Sequence, residues 1–200
     1  MSLALQSLIR EHQLIARVAA ALDVYADAIK QGTPVEADDL ARFAQVFNDF
    51  ADEIHHEKEE NVLLPLLSRH GFDWQSDVLK AVRREHRQER YLIAVLGQAG
   101  ARPASWSTED RRQIAAAASA LAEFQRNHHR RENDELFPEV LARLDAKVLA
   151  QLQSELERFD DNAHHQALRA SAERLALDLV QRYLSNVPVA TSQPGAPAPP

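Results

Sequence analysis

Cysteine is missing from all 200 residues, and that one absence removes disulfides, thiolate metal ligands and cysteine nucleophiles together. Glycine is scarce, at five. Because Gly costs up to ~1 kcal/mol in a helix interior relative to Ala, a chain poor in Gly and rich in Ala and Leu favours helices. No apolar run approaches the ~20 residues of a membrane span, and Met1 is not followed by the apolar core of a signal peptide. No membrane partner and a cytoplasmic location are therefore expected. The net charge is −7 and no basic run exceeds two residues; nucleic-acid binding needs a concentrated positive face and is set aside. What remains is a chain that is 45% hydrophobic, enough for one full core. Its unusual feature is nine histidines.

The apolar spacing is helical throughout, and no segment alternates as a strand should. Helix 1 is expected from about Ser2 to Gln31, helix 2 from about Val35 to Arg69, helix 3 from near Trp74 to near Leu96, and helix 4 from a Ser107 or Thr108 cap to about Leu144. Gly32-Thr33-Pro34 and Gly71 are helix stops. Pro65 and Pro138 sit late in helices 2 and 4, where a kink or an early end is expected. The fold class is all-α: an up-down-up-down four-helix bundle over residues 1–145. A C-terminal helical extension follows over 146–186, packing on the bundle or mediating self-association, so that monomer and homodimer are both open. The Pro/Ala-rich tail, 187–200, is expected to be disordered.

Two stretches share one layout. HHEKEENVLLP at 55–65 and HHRRENDELFP at 128–138 both read His-His-x-[Lys/Arg]-Glu, then Leu-[Leu/Phe]-Pro. Their first histidines are 73 residues apart, at 55 and 128, and a second echo, IREHQ at 9–13 and RREHR at 83–87, sets His12 and His86 74 apart. The chain reads as one helix pair used twice. A helix presents residues i and i+4 on one face, so His55 pairs with Glu59 and His128 with Glu132. The alternative register pairs His56 with Glu60 but His129 with Asn133, losing its carboxylate; it also puts His56 beside Asp49 and Asp52, on a solvent face. Glu57, Lys58, Glu60, Arg130 and Arg131 are likewise read as a solvated face, and His70, His164 and His165 as exposed. Distances counted from the connecting turns place His12 level with His55, and Glu59 within a turn of His86.

Four imidazoles and two carboxylates at one level of a core would cost several kcal/mol per charge if left bare. A pair of divalent cations turns them into ligands. Imidazole and carboxylate without thiolate suit iron, with manganese or zinc possible, and six protein ligands on two metals leave positions for a bridging water or hydroxide and for an exogenous small molecule.

With Glu11-His12, His55-His56-x-Lys58-Glu59-Glu60, Leu64-Pro65, Glu85-His86, His128-x-x-x-Glu132 and Leu136-Phe137-Pro138, the chain resembles the hemerythrin-like (HHE cation-binding) family over about residues 5–142. The resemblance implies a non-haem diiron centre with His12, His55, Glu59, His86, His128 and Glu132 as ligands, the glutamates bridging and the histidines terminal. Oxygen-carrying hemerythrins have a further histidine four residues after that of helix 3; here it is Arg90, so one iron has one fewer histidine or takes another donor, and reversible oxygen carriage is in doubt. Family members that repair iron–sulfur centres usually carry a cysteine segment, which a cysteine-free chain lacks. The expected function is binding of, or reaction with, O2, NO or peroxide, in sensing or in an iron or oxidative-stress response. The alternatives are a diiron oxidoreductase or peroxidase-type enzyme, in which Arg90 stabilises an anionic intermediate, and a structural metal-binding bundle.

Overall fold

The computed structural model describes residues 3–102 and 106–185; the tail 187–200 lies outside them. Among the described residues the chain is all helical, with six helices and no strand. After a single 3₁₀ turn, Leu3–Leu5, come α1 (Gln6–Lys30), α2 (residues 39–69), α3 (Asp77–Gly100), α4 (residues 108–143), α5 (Ala146–Asp160) and α6 (Ala163–Leu184). None of them is long and apolar enough to cross a membrane.

The starts follow local chemistry. Ser76 caps α3 by accepting from the Leu79 backbone N–H, and Ser107 forms a capping box with Asp110 at the head of α4; each satisfies amides that the first turn leaves open. Gly32 and Gly71, both at positive φ, stand where α1 and α2 stop. Helix α3 overruns the expected end near Leu96 and continues to Gly100. The reason is packing: a Cβ on Gly100 would lie 2.6 Å from the Ala41 backbone nitrogen, so the glycine lets α3 touch α2 rather than ending it.

Neither proline ends its helix. Residues Phe47–His56 and Glu59–Leu63 of α2, and Glu132–Leu136 of α4, are wound in wider π turns. Pro65 and Pro138 are the second residues of the α-helical stretches that follow, Leu64–Arg69 and Phe137–Arg143. A widened turn just before the ring resets the hydrogen-bond ladder that proline would otherwise break.

The first four helices touch in a ring, α1 against α2 and α4, and α3 against α2 and α4, while α6 lies against α1 and α2. The apolar side chains form two separate cores. One holds Ile15, Val18, Leu22, Phe43, Phe47, Phe50, Ile93 and Leu121 with Ala176 and Leu179 of α6. The other holds Leu5, Leu8, Leu63, Leu67, Val82, Leu136 and Phe137 with Leu152 and Leu156 of α5. The extension therefore packs on the rest of the chain, one of its helices on each core. Asp39, at the head of α2, anchors the far end of α6 through Arg182 (2.9 Å) and the Tyr183 hydroxyl (2.7 Å). Between the two cores lies a layer of another chemistry.

Candidate metal centre

That layer holds His12, His55, His56, His86, His128, His129, Glu59 and Glu132, all buried. The structure brings the six predicted residues together and adds His56 and His129. His56 is fully buried, which corrects its placement on a solvent face. A 3.6-residue turn makes residues four apart drift by ~40° per step, yet Phe47, Ala51, His55, Glu59 and Leu63 are all buried. The π turns cancel the drift and hold both histidines of each pair, together with the glutamate, toward the interior. Lys58 is also fully buried, against the expectation of a solvated face, because the end of α5 covers it.

The donors fall into two equivalent sets, His12, His55 and His129, and His56, His86 and His128, with Glu59 and Glu132 within reach of both. Ring geometry repeats between them. His129 stacks on His12 with centroids 4.1 Å apart, as His56 stacks on His86 at 4.0 Å. His55 meets His12 edge-on at 4.7 Å, as His128 meets His86 at 5.0 Å. Each glutamate spans the sets: Glu59 lies 3.8 Å from His55 Nε2 and 3.3 Å from His86 Nε2. Glu132 lies 3.2 Å from His12 Nε2 and 3.5 Å from His128 Nε2.

Five of the six imidazoles have their outer nitrogen occupied. His55 Nδ1 donates to Glu11 (3.1 Å), His128 Nδ1 to Glu85 (3.1 Å), His86 Nδ1 to Glu60 (2.7 Å), His56 Nδ1 to Asp52 (3.3 Å), and His12 Nδ1 to the Asn133 side-chain oxygen (3.1 Å). Oxygen acceptors place the proton of a neutral ring on Nδ1 and leave its lone pair on Nε2. In the first set two such lone pairs, His12 and His55, face each other at 3.1 Å. Both oxygens of Glu59 and of Glu132, and the Nε2 atoms of His56, His86, His128 and His129, have no hydrogen-bond partner. Buried polar atoms are normally paired; so many orphans converging in one layer fit a cation, and an N/O donor set of this kind suits iron, manganese or zinc. Burial holds His55 neutral, pushing it down to about 4, and holds His129 well below its ordinary value.

The surroundings of the sets differ. Beside the second, Glu89 on α3 sits 3.2 Å from His56 Nε2 and is held by Gln125. Burial disfavours the His56 proton, but Glu89 outweighs it and raises the group to about 9. Arg90 binds Asp52 (2.7 Å) and Glu60 (3.0 Å), the carboxylates behind His56 and His86. It is thus committed to the carboxylates behind the second set. His56 of α2 lies in this layer, stacked on His86 one turn before Arg90. Beside the first set a groove of about 420 Å³ between α1 and α4, lined by Ile9, His12, Ala16, Arg126, His129 and Asn133, opens to solvent.

Over residues 3–140 the sequence matches the hemerythrin HHE cation-binding domain. The chain belongs to this family. Its hemerythrin domain thus spans α1–α3 and nearly all of α4, the helices that carry every donor, and leaves α5 and α6 outside. Uncharacterised proteins of Mycobacterium tuberculosis and Mycobacterium bovis are each 26% identical to it over 165 residues, 80% of this chain and 60% of theirs. The chain thus spans about three fifths of the length of these relatives. No solved structure matches it.

Proposed function

We propose that this hemerythrin-family chain is a non-haem diiron protein that binds or reacts with a small diatomic molecule or peroxide, in sensing or in an iron or oxidative-stress response. Residues 1–145 form an up-down-up-down four-helix bundle in this reading, and 146–186 its extension. One ion is held by His12, His55 and His129, the other by His56, His86 and His128, and Glu59 and Glu132 are shared. The observation that carries the reading is the set of inward Nε2 lone pairs, their tautomers fixed from behind, around two carboxylates with no other partner.

When bound, two irons supply a redox pair able to exchange electrons with a small oxidant. The chain's own residues do the rest. Glu11, Glu85, Glu60 and Asp52 orient the imidazoles, the two apolar cores keep bulk water from the layer, and the groove at His12 and His129 admits a small molecule. Metal content per chain on protein purified without oxygen, followed by the absorbance as air, NO or peroxide is admitted, tests this. Two irons and a new near-ultraviolet band support it. Zinc alone, with no spectral change after iron loading, favours a structural role. Multiple turnovers of peroxide, lost in His86→Ala, move the reading to an enzyme.

A further inference from the structure

Glu11 and Glu85 do the same work on equivalent imidazoles, His55 and His128, but are held differently. Glu85 is held by Arg131 (3.1 Å), from within the family domain. Glu11 is held by Lys58 (2.6 Å) and by Arg169 of α6 (2.5 Å). Both of these cations share a second carboxylate, Asp160 at the end of α5, at 2.7 and 2.9 Å. Lys58 is fully buried, and an ammonium taken out of water is costly unless carboxylates compensate it; Glu11 and Asp160 do so from two sides. The extension can supply this partner because α5 covers one core and α6 the other, so the turn between them falls at the level of the donor layer. Arg169 and Asp160 both lie outside residues 3–140, the part that matches the family.

We propose that the C-terminal extension is a working part of the metal centre: Arg169 and Asp160 are positioning residues that hold Glu11 and through it aim His55 Nε2 into the first donor set. The inference rests on the two-metal reading above. A carboxylate behind a ligating imidazole sets its tautomer, orientation and basicity, and losing such support costs ~10–100-fold in metal affinity. Metal in the first set is thereby tied to the docking of α5 and α6, and metal in the second set is not.

The test is a titration of the full metal-free chain with cobalt(II), without oxygen and against a competing chelator, with each binding step followed by visible absorption. His129→Ala and His56→Ala, each deleting a donor from one set, assign the steps. Arg169→Met is expected to weaken the first-set step by ~10-fold or more and leave the other in place, Arg131→Met to do the reverse, and Arg169→Lys to restore most of the loss. Asp160→Asn, which keeps the shape and removes the shared charge, should weaken the same step as Arg169→Met, and it decides the matter if the Met variant does not fold. Equal weakening of both steps, or no weakening of either, overturns the inference and leaves the two-metal reading standing. A wild-type chain that takes up no cobalt overturns both.

Discussion

The two donor sets are near copies in their inner parts and unlike in their outer parts. Each has a stacked imidazole pair and an edge-on third ring, and the same two glutamates lie between them. Behind the second set stand Asp52, Glu60 and Arg90, joined in one network within the family domain, with Glu89 against His56. Behind the first set, Ile15 and Ala16 take the places of Glu89 and Arg90 in the repeat, His129 has no outer partner, and Glu11, which supports His55, is held by Lys58 of the family domain together with Arg169 of the extension. A repeated helix pair thus supplies equivalent donor groups, while differences in a few neighbours leave one set enclosed and held from within the family domain and the other open at a groove. In the proposed two-metal reading, chemistry with an exogenous molecule is expected at the open side.

The sharpest break of the comparison is to remove what both sets share. Glu59→Ala or Glu132→Ala should lose both ions, as read by elemental analysis of the purified variant. Their melting temperatures should drop to that of the chelator-treated wild type, a loss of ~2.7 kcal/mol per site if each ion was present at about 100 times its dissociation constant. Unchanged iron content in either variant counts against the bridging role. Next in size, His56→Ala and His129→Ala should each leave one ion per chain, with different spectra because the surviving sets differ in their surroundings. Two ions retained in both would mean that the original six residues suffice. Arg90→Ala should loosen Asp52 and Glu60 together and weaken only the second set, by ~10-fold; weakening of the first set in a chelator competition would contradict the separation of the two networks. The smallest effect on metal is expected of Gly100→Ala. It forces α3 away from Ala41 and should cost ~1–3 kcal/mol of stability, measured by denaturant unfolding of the metal-free chain, while both ions bind as before.

Much of this was legible in residue spacing. The repeat, the helical stripes and the i, i+4 pairing of His55 with Glu59 and of His128 with Glu132 lead to six donors that the structure places in one layer. His56 and His129 were hidden by the assumption of a uniform 3.6-residue turn, which lets only one histidine of an adjacent pair face inward. The signal was present: Phe47, Ala51, His55, Glu59 and Leu63 are spaced by four throughout, a period that an unbroken α-helix cannot keep on one face. For a related reason Pro65 and Pro138 do not end their helices: a widened turn precedes each. Lys58 was misplaced because its partner Asp160 comes from a part of the chain whose packing no local pattern fixes. The extension's place against the layer was illegible altogether, since amphipathic spacing says that a helix has a buried side but not which surface it covers.

The most direct test of two equivalent donor sets is a crystal structure of the iron-loaded chain with an anomalous difference map. Two peaks are expected, one among His12, His55 and His129 and one among His56, His86 and His128, with Glu59 and Glu132 between them. A single peak, or a second one held without His56 or without His129, would contradict the three-plus-three arrangement.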